Sequence, residues 1–289
     1  MNDQPARRTH ALPGRNVQLA LLDWGGNDPL AFFTHATGFC ASTLSPIAEQ
    51  LHSHYHVIGH DHRGHGHSTK LLPPYAYQWE ELVLDIVAAA KALVREHRVS
   101  QVSLGVGHSV GANCLLAAAA RSPGLFGKLA LVDPVVMPPV GERTGFYAGE
   151  GVHPLAEMAR RRRAVFASRE EAQQQWATRG TFSDWDARAL ASYLEDGFRD
   201  RSDGQVELQC APEVEAALHE AGLNFHIFSE VAQLRTPTTL FHAAHSPFRW
   251  DLIERLAARS DYVTAVSIEG DHLVPMTDPD MVAAQLLKL

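Results

Sequence analysis

Ser109, His272 and a carboxylate lying between them in the chain are the residue types that acyl transfer by a nucleophilic serine uses. Ser109 occupies the middle of Gly107-His108-Ser109-Val110-Gly111, after a strand-like run, Val102–Val106, and before an alanine-rich helical run, Ala112–Arg121. At such a strand-to-helix turn the serine backbone is strained and only small neighbours fit, which accounts for Gly107 and Gly111. The turn lifts the hydroxyl clear of the sheet, and the N–H groups opening the helix point at whatever it attacks. A serine hydroxyl is a weak nucleophile at neutral pH, so it needs a base to take its proton and an acid to orient that base. On an elbow of this kind the acid and then the histidine follow the serine in the chain. His272, in Gly270-Asp271-His272 after the last strand-like run, is therefore the candidate base among 17 histidines.

The acid is less direct. Its commonest place is the loop after the penultimate strand, which here reads Phe241-His242-Ala243-Ala244-His245-Ser246-Pro247-Phe248 and holds no carboxylate. Asp251 comes next but falls in the following helical run. Asp133-Pro134, ending the run Leu129–Val135, is the alternative: the proline stops the strand and leaves the carboxylate at the sheet's C-terminal edge. Asp133 is the preferred candidate, Asp251 the second, and a site without a conventional acid stays open. The developing oxyanion needs two backbone N–H groups. One is expected from Val110, just after the nucleophile. The other is expected from His35-Ala36-Thr37-Gly38-Phe39-Cys40, with Thr37 first and Phe39 second.

These residues require a framework that brings strand ends together. Short β-branched runs at Val17–Trp24, Leu30–His35, Tyr55–His60, Val102–Val106, Leu129–Val135, Thr238–Ala243 and Val263–Ile268 alternate with helical patterns at Thr43–His52, Trp79–His97, Ala112–Ser122, Arg249–Arg259 and Asp280–Leu289. That alternation predicts an α/β fold, a mostly parallel central sheet flanked by helices. From about Met137 to Val231 no core strand is legible; helical segments rich in Arg, Glu, Gln and Ala take its place. The expected organisation is a core of residues 1–136 and 232–289 with a helical cap, or lid, at 137–231.

Three motifs give the chain its resemblance to the α/β-hydrolase superfamily, over essentially its whole length: His35-Ala36-Thr37-Gly38-Phe39, where many members have His-Gly; Asp61-His62-Arg63-Gly64-His65-Gly66-His67-Ser68, matching D-x-R-G-x-G-x-S; and the Gly107–Gly111 elbow. The resemblance implies Ser109 as nucleophile and His272 as base, and specifies no substrate. Two departures stand out. Ala36 replaces the usual glycine, and the carboxylate expected after the penultimate strand is missing, although some members place it where Asp133 lies. The expected activity is hydrolysis of a small or medium acyl ester through an acyl-enzyme. Thioesterase, amidase, carbon–carbon bond hydrolase and perhydrolase chemistry would use the same residues, and a ligand-binding protein without turnover is the alternative of another class. A serine nucleophile argues against haloalkane dehalogenase and epoxide hydrolase, which need a carboxylate there.

Composition narrows the partners. With 25 basic and 33 acidic residues the formal net charge is −8, which disfavours nucleic acid or an anionic membrane as the main partner. The 45% of apolar residues suffice for a large core without disulfides, and three cysteines (Cys40, Cys114, Cys210) without C-x-x-C spacing suit a reducing, cytoplasmic setting. Met1–Arg15 is polar, without the apolar stretch of a signal peptide, and no run approaches the roughly 18 apolar residues that span a bilayer. No cofactor is implied, the expected partner is a small-molecule acyl substrate, and oligomeric state is not legible. His60, His62, His65 and His67 invite a metal reading, but they overlap the D-x-R-G-x-G-x-S loop, so no metal is expected. Arg160-Arg161-Arg162-Arg163 is expected within a lid helix, spread about 100° apart per residue and paired with Glu157, Glu170 and Glu171; an arginine reaching a substrate carboxylate or phosphate is the alternative. Among the lid aromatics (Phe146, Tyr147, Phe166, Trp176, Phe182, Trp185, Tyr193, Phe198), Phe182 and Trp185 are the candidates, with Phe39, for lining an acyl pocket.

Overall fold

The computed structural model describes residues 5–12, 14–27, 29–177 and 180–289, and the Phe146 side chain also lies outside what is described. Its centre is a sheet of eight strands: β1 (Ala6–Leu12), β2 (Val17–Gly26), β3 (Leu30–Thr34), β4 (His56–His60), β5 (Val102–His108), β6 (Phe126–Val132), and, after a long insertion, β10 (Thr238–Ala243) and β11 (Val263–Ile268). Their spatial order is β1-β2-β4-β3-β5-β6-β10-β11. Only the β1–β2 and β2–β4 pairs are antiparallel; from β4 to β11 every pair is parallel. A parallel sheet is covered on both faces, and β3 shows it in five residues, all buried. Leu30 and Phe32 point into a core shared with α2 (Trp79–Glu96), α3 (Val110–Arg121) and α9 (Trp250–Ala257). Ala31 and Phe33 point into a second core built with α1 (Ser45–Leu51) and α11 (Pro279–Leu286).

The insertion between β6 and β10 carries α4 (Pro154–Arg160), α5 (Arg169–Trp176), α6 (Ala187–Asp196), α7 (Pro212–Ala221) and α8 (Ile227–Gln233). It also carries β7 (Val165–Phe166), β8 (Phe198–Asp200) and β9 (Val206–Leu208), an antiparallel sheet in the order β7-β9-β8 and separate from the large one. Strands of two or three residues leave too little alternation to be legible in sequence. The expected boundary at 231/232 falls inside α8, whose Ile227 and Val231 are buried in the α2–α3 core. The insertion is fastened to the β3–α1 loop by an aromatic cluster in which Phe39 packs against Trp185 and Tyr193, with ring centroids 5.1 and 5.6 Å away. Tyr193 also donates its hydroxyl to Gly38 O at 2.9 Å.

Most expected strands lie within two or three residues of the observed ones. The exception is β1, in a stretch read as polar terminus: along this edge strand only Leu12 is buried, and only its pairing with β2 reveals it. The arginine run also differs from expectation. The helix α4 stops at Arg160, so Arg161–Arg163 follow it rather than circling it.

Candidate active site

The chain leaves β5 at His108, turns at Ser109 and enters α3 at Val110. Ser109 takes φ 55° and ψ −124°, a conformation costly for any residue with a Cβ. Two hydrogen bonds hold the serine in it: its N–H donates to Val132 O at 3.1 Å, and its carbonyl accepts Asn113 N–H at 3.2 Å. A side chain at Gly111 would place its Cβ 2.5 Å from His35 O and 2.7 Å from Thr34 O. Glycine there lets the elbow press against the end of β3.

His272 follows β11 and brings both ring nitrogens to partners. Nε2 lies 3.0 Å from Ser109 Oγ, and Nδ1 lies 2.6 Å from Asp133 Oδ2. Since an ionised carboxylate only accepts, Nδ1 carries the proton and Nε2 is left to accept from the serine hydroxyl. His108 Nε2 donates to His272 O at 2.7 Å, fixing the loop from behind, and Phe248 packs edge-on against the imidazole at 5.2 Å.

Asp133 is the first residue after β6, with φ 42° and its side chain wholly buried. The loop that lacks a carboxylate supplies donors to it instead: Ala243 N–H to Oδ1 at 3.0 Å and Ser246 Oγ to Oδ2 at 2.7 Å. Burial opposes ionisation of this carboxyl, but the hydrogen bonds from His272, Ser246 and Ala243 outweigh it and hold it below the usual carboxylate range. His242 Nδ1 lies 3.1 Å from Oδ1, too poorly aligned for a hydrogen bond. Asp251 is elsewhere, on the surface at the start of α9 and paired with Arg249 at 2.7 Å. Ser246 had a legible place in the sequence, but its role as a donor to Asp133 depends on β6 and β10 being neighbours.

Beside the serine, the β3–α1 loop is shaped by neutral histidines. His65 Nε2 accepts Gly38 N–H at 3.0 Å, His35 Nε2 accepts His62 N–H at 2.9 Å, and His62 Nε2 donates to His35 O at 2.9 Å. His60 Nε2 lies 3.0 Å from His62 Nδ1, continuing the chain. Burial, reinforced by neighbouring imidazoles, lowers the pKa of His35, His60, His62 and His65 well below the ordinary value. Among the described residues no group of three His, Cys, Asp or Glu is placed to hold a metal ion. In this loop Phe39 N–H is turned back on Ala36 O at 3.4 Å. Thr37 lines the cavity at Ser109, and its buried hydroxyl has no hydrogen-bond partner among the described residues.

That cavity, about 280 Å³, is mostly apolar, with Phe39, Val135, Met137 and Leu155 among its walls and Glu215 and His219 as polar exceptions. Burial pushes His219 down to about 4. Phe182 lines a neighbouring cavity of about 370 Å³ that shares Phe39, Leu155, Glu215 and His219. Trp185 lines neither and is packed behind Phe39, so it belongs to the core of the insertion and not to a pocket wall. Glu215 and His219, absent from the sequence-based candidates, come from α7 and carry no local motif. Arg162 reaches Glu215 at 2.6 Å and the Tyr193 hydroxyl at 2.8 Å, whereas Arg163 pairs with Glu171 at 2.8 Å.

A family model described as "Alpha/beta hydrolase family" matches residues 25–285, which include every residue of this site. The chain belongs to the α/β-hydrolase family. Solved structures agree on the fold of this α/β hydrolase. E-2-(acetamidomethylene)succinate hydrolase superposes with a TM-score of 0.82 at 20% identity, covering 99% of this chain and 98% of that one. The N-formylmaleamic acid deformylase of Pseudomonas putida S16 gives a TM-score of 0.70 at 20% identity, covering 97% and 100%. Among curated proteins, the 2-(acetamidomethylene)succinate hydrolase of Mesorhizobium japonicum is 32% identical over 108 residues, 37% of this chain and 36% of that one. The putative carbamate hydrolase RutD of Caulobacter segnis is 34% identical over 126 residues, 43% and 40%. The chain thus spans well under half the length of the curated relatives it matches. Among the described residues no helix is long and apolar enough to cross a membrane.

Proposed function

We propose that this α/β hydrolase cleaves carboxylic esters of small or medium acyl groups, with Ser109, His272 and Asp133 as a catalytic triad. The observation that carries the reading is the unbroken chain of contacts from Ser109 Oγ to His272 Nε2 at 3.0 Å and from Nδ1 to Asp133 at 2.6 Å. In this scheme His272 takes the hydroxyl proton as Ser109 Oγ attacks the carbonyl carbon. The oxyanion is held by the N–H groups of Thr37 and Val110; the turn that occupies Phe39 N–H favours Thr37 over Phe39. His272 then protonates the departing alcohol, leaving an acyl-serine. Water attacks that ester, gives a proton to His272, and releases the acid as Ser109 regains its hydrogen. Asp133 keeps the imidazole in the right tautomer and stabilises the imidazolium.

Residues 137–231 serve as the cap over this site, with Tyr147, Leu155, Glu215 and His219 bordering the acyl cavity. A reducing, cytoplasmic setting is supported by three free, buried cysteines, Cys40, Cys114 and Cys210. A second reading, cleavage of an amide or carbamate by the same serine, is favoured by the name of the Caulobacter segnis relative. Turnover of a panel of p-nitrophenyl esters, acyl thioesters and p-nitroanilides separates these. The ester reading requires the largest kcat/KM on an ester and its loss in Ser109→Ala; a preference for the anilides would move the assignment to the second reading.

A further inference from the structure

Buried or half-buried arginines in this acidic protein generally meet carboxylates: Arg63 meets Asp85 at 2.6 Å, and Arg162 meets Glu215 at 2.6 Å. Arg143 does not. Its Nε donates to Pro138 O at 2.9 Å, Nη1 to Leu223 O at 2.5 Å and Nη2 to Phe225 O at 3.5 Å, all backbone carbonyls. The adjacent Glu142 is turned away to Arg255 at 2.6 Å. Burial lowers the Arg143 pKa, and among the described residues no carboxylate offsets that cost. Five guanidinium N–H groups less three leaves one on each terminal nitrogen, the number a carboxylate takes.

Arg143 lines a cavity of about 220 Å³ that shares Trp79, Val135 and Met137 with the cavity at Ser109. No Asp or Glu is among the described residues lining it, and a second arginine, the exposed Arg259, stands at its edge. Asn113, also in its wall, exchanges two hydrogen bonds with the Val135 backbone, each 2.8 Å, which fixes its amide there. Asn113 is four residues beyond Ser109 along α3, a rise of about 6 Å. Because Trp79, Val135 and Met137 wall both cavities, the guanidinium borders the space next to the one that opens on Ser109.

We propose that Arg143 binds a substrate carboxylate, so that the preferred substrates are half-esters of short dicarboxylic acids. The idea rests on the hydrolase reading for its substrate class, but binding can be measured without turnover. The one free N–H on each terminal nitrogen of Arg143 forms the planar pair that a carboxylate takes, and phosphate is the competitor that the test must separate from it.

The test uses Ser109→Ala protein, which keeps the pocket without reaction, and titrates it with monomethyl glutarate, with methyl hexanoate as a neutral ligand of similar length, and with inorganic phosphate. The expected result is that monomethyl glutarate binds at least about tenfold more tightly than methyl hexanoate. Adding Arg143→Gln removes that preference, Arg143→Lys retains part of it, and phosphate does not compete. Equal affinity for the two esters overturns the proposal without any Arg143 variant, so a Gln protein that fails to fold leaves it falsifiable. A preference that survives Arg143→Gln overturns it too, and displacement by phosphate more effective than by glutarate overturns the carboxylate assignment. A failure of the hydrolase reading shows separately, as wild-type protein that binds these esters and turns none over.

Discussion

Asp133 Oδ2 stands 2.6 Å from His272 Nδ1 although 139 residues separate them, and the same oxygen accepts the Ser246 hydroxyl at 2.7 Å. The carboxylate is therefore held from β10 as well as from β6. If it supports the imidazolium, Asp133→Asn keeps the shape but favours the wrong tautomer, with a loss on the order of 10⁴ in kcat. Ser246→Ala removes one of several donors and costs roughly tenfold. Asp251→Asn, on the surface, has no effect. Steady-state kinetics of the three purified variants check this ordering, and full activity in Asp133→Asn would remove Asp133 from the mechanism.

Gly38 tests the oxyanion loop. Its φ of +83° disfavours a side chain, and a Cβ there would lie 3.0 Å from the Glu215 carboxylate. Gly38→Ala should displace Thr37 N–H and lower kcat by about a hundredfold, the cost of losing one such donor, with little change in KM. Unchanged kcat in a folded Gly38→Ala protein would place the second donor elsewhere.

The cavity walls should set acyl-chain preference. Leu155 faces the cavity, so Leu155→Trp is expected to shift the optimum among p-nitrophenyl esters toward shorter chains. Trp185 is packed behind Phe39, so Trp185→Ala should cost roughly 3–5 kcal/mol of stability and leave the ranking of chain lengths unaltered. A changed ranking in Trp185→Ala with unchanged melting temperature would reverse these assignments.

Acid should destabilise the fold early. Burial lowers the pKa of His35, His60, His62 and His65, and brings His219 to about 4 and His108 to about 3. Histidines in the unfolded chain take up protons near pH 6.5. Below that point the unfolded state binds more protons than the folded one, so stability falls as pH falls and is fully present only above it. The depressed Asp133 carboxyl adds to the loss in the same direction at lower pH. Melting temperature measured by calorimetry should decline continuously from about pH 6.5 to pH 4; a flat profile over that range would contradict the neutral histidine network.

What the sequence revealed depended on how local the cause was. The limits of β10 and β11 were legible because each is a short β-branched run between turn signals, and the elbow because its motif stands in one stretch of chain between a strand run and a helical run. The place of Asp133 at a strand end was legible, with Pro134 marking the end of that strand. The hydrogen bond from Ser246 was not, because it requires β6 and β10 to be neighbours across the whole insertion. Likewise Phe182 and Trp185 were indistinguishable as aromatic residues. Their different places, one lining a cavity and one packed on Phe39, depend on how the insertion packs on the β3–α1 loop. Glu215 and His219 reach the site only through the packing of α7.

The central claim is that Ser109 is a nucleophile activated by His272. The most direct measurement is labelling by a fluorophosphonate, followed by mass spectrometry of the digested protein. Wild-type protein should be modified rapidly and stoichiometrically at Ser109, His272→Ala should react at least a hundredfold more slowly, and Ser109→Ala should not be labelled. A folded wild-type protein whose Ser109 stays inert, or a His272→Ala protein labelled at the wild-type rate, would contradict the account.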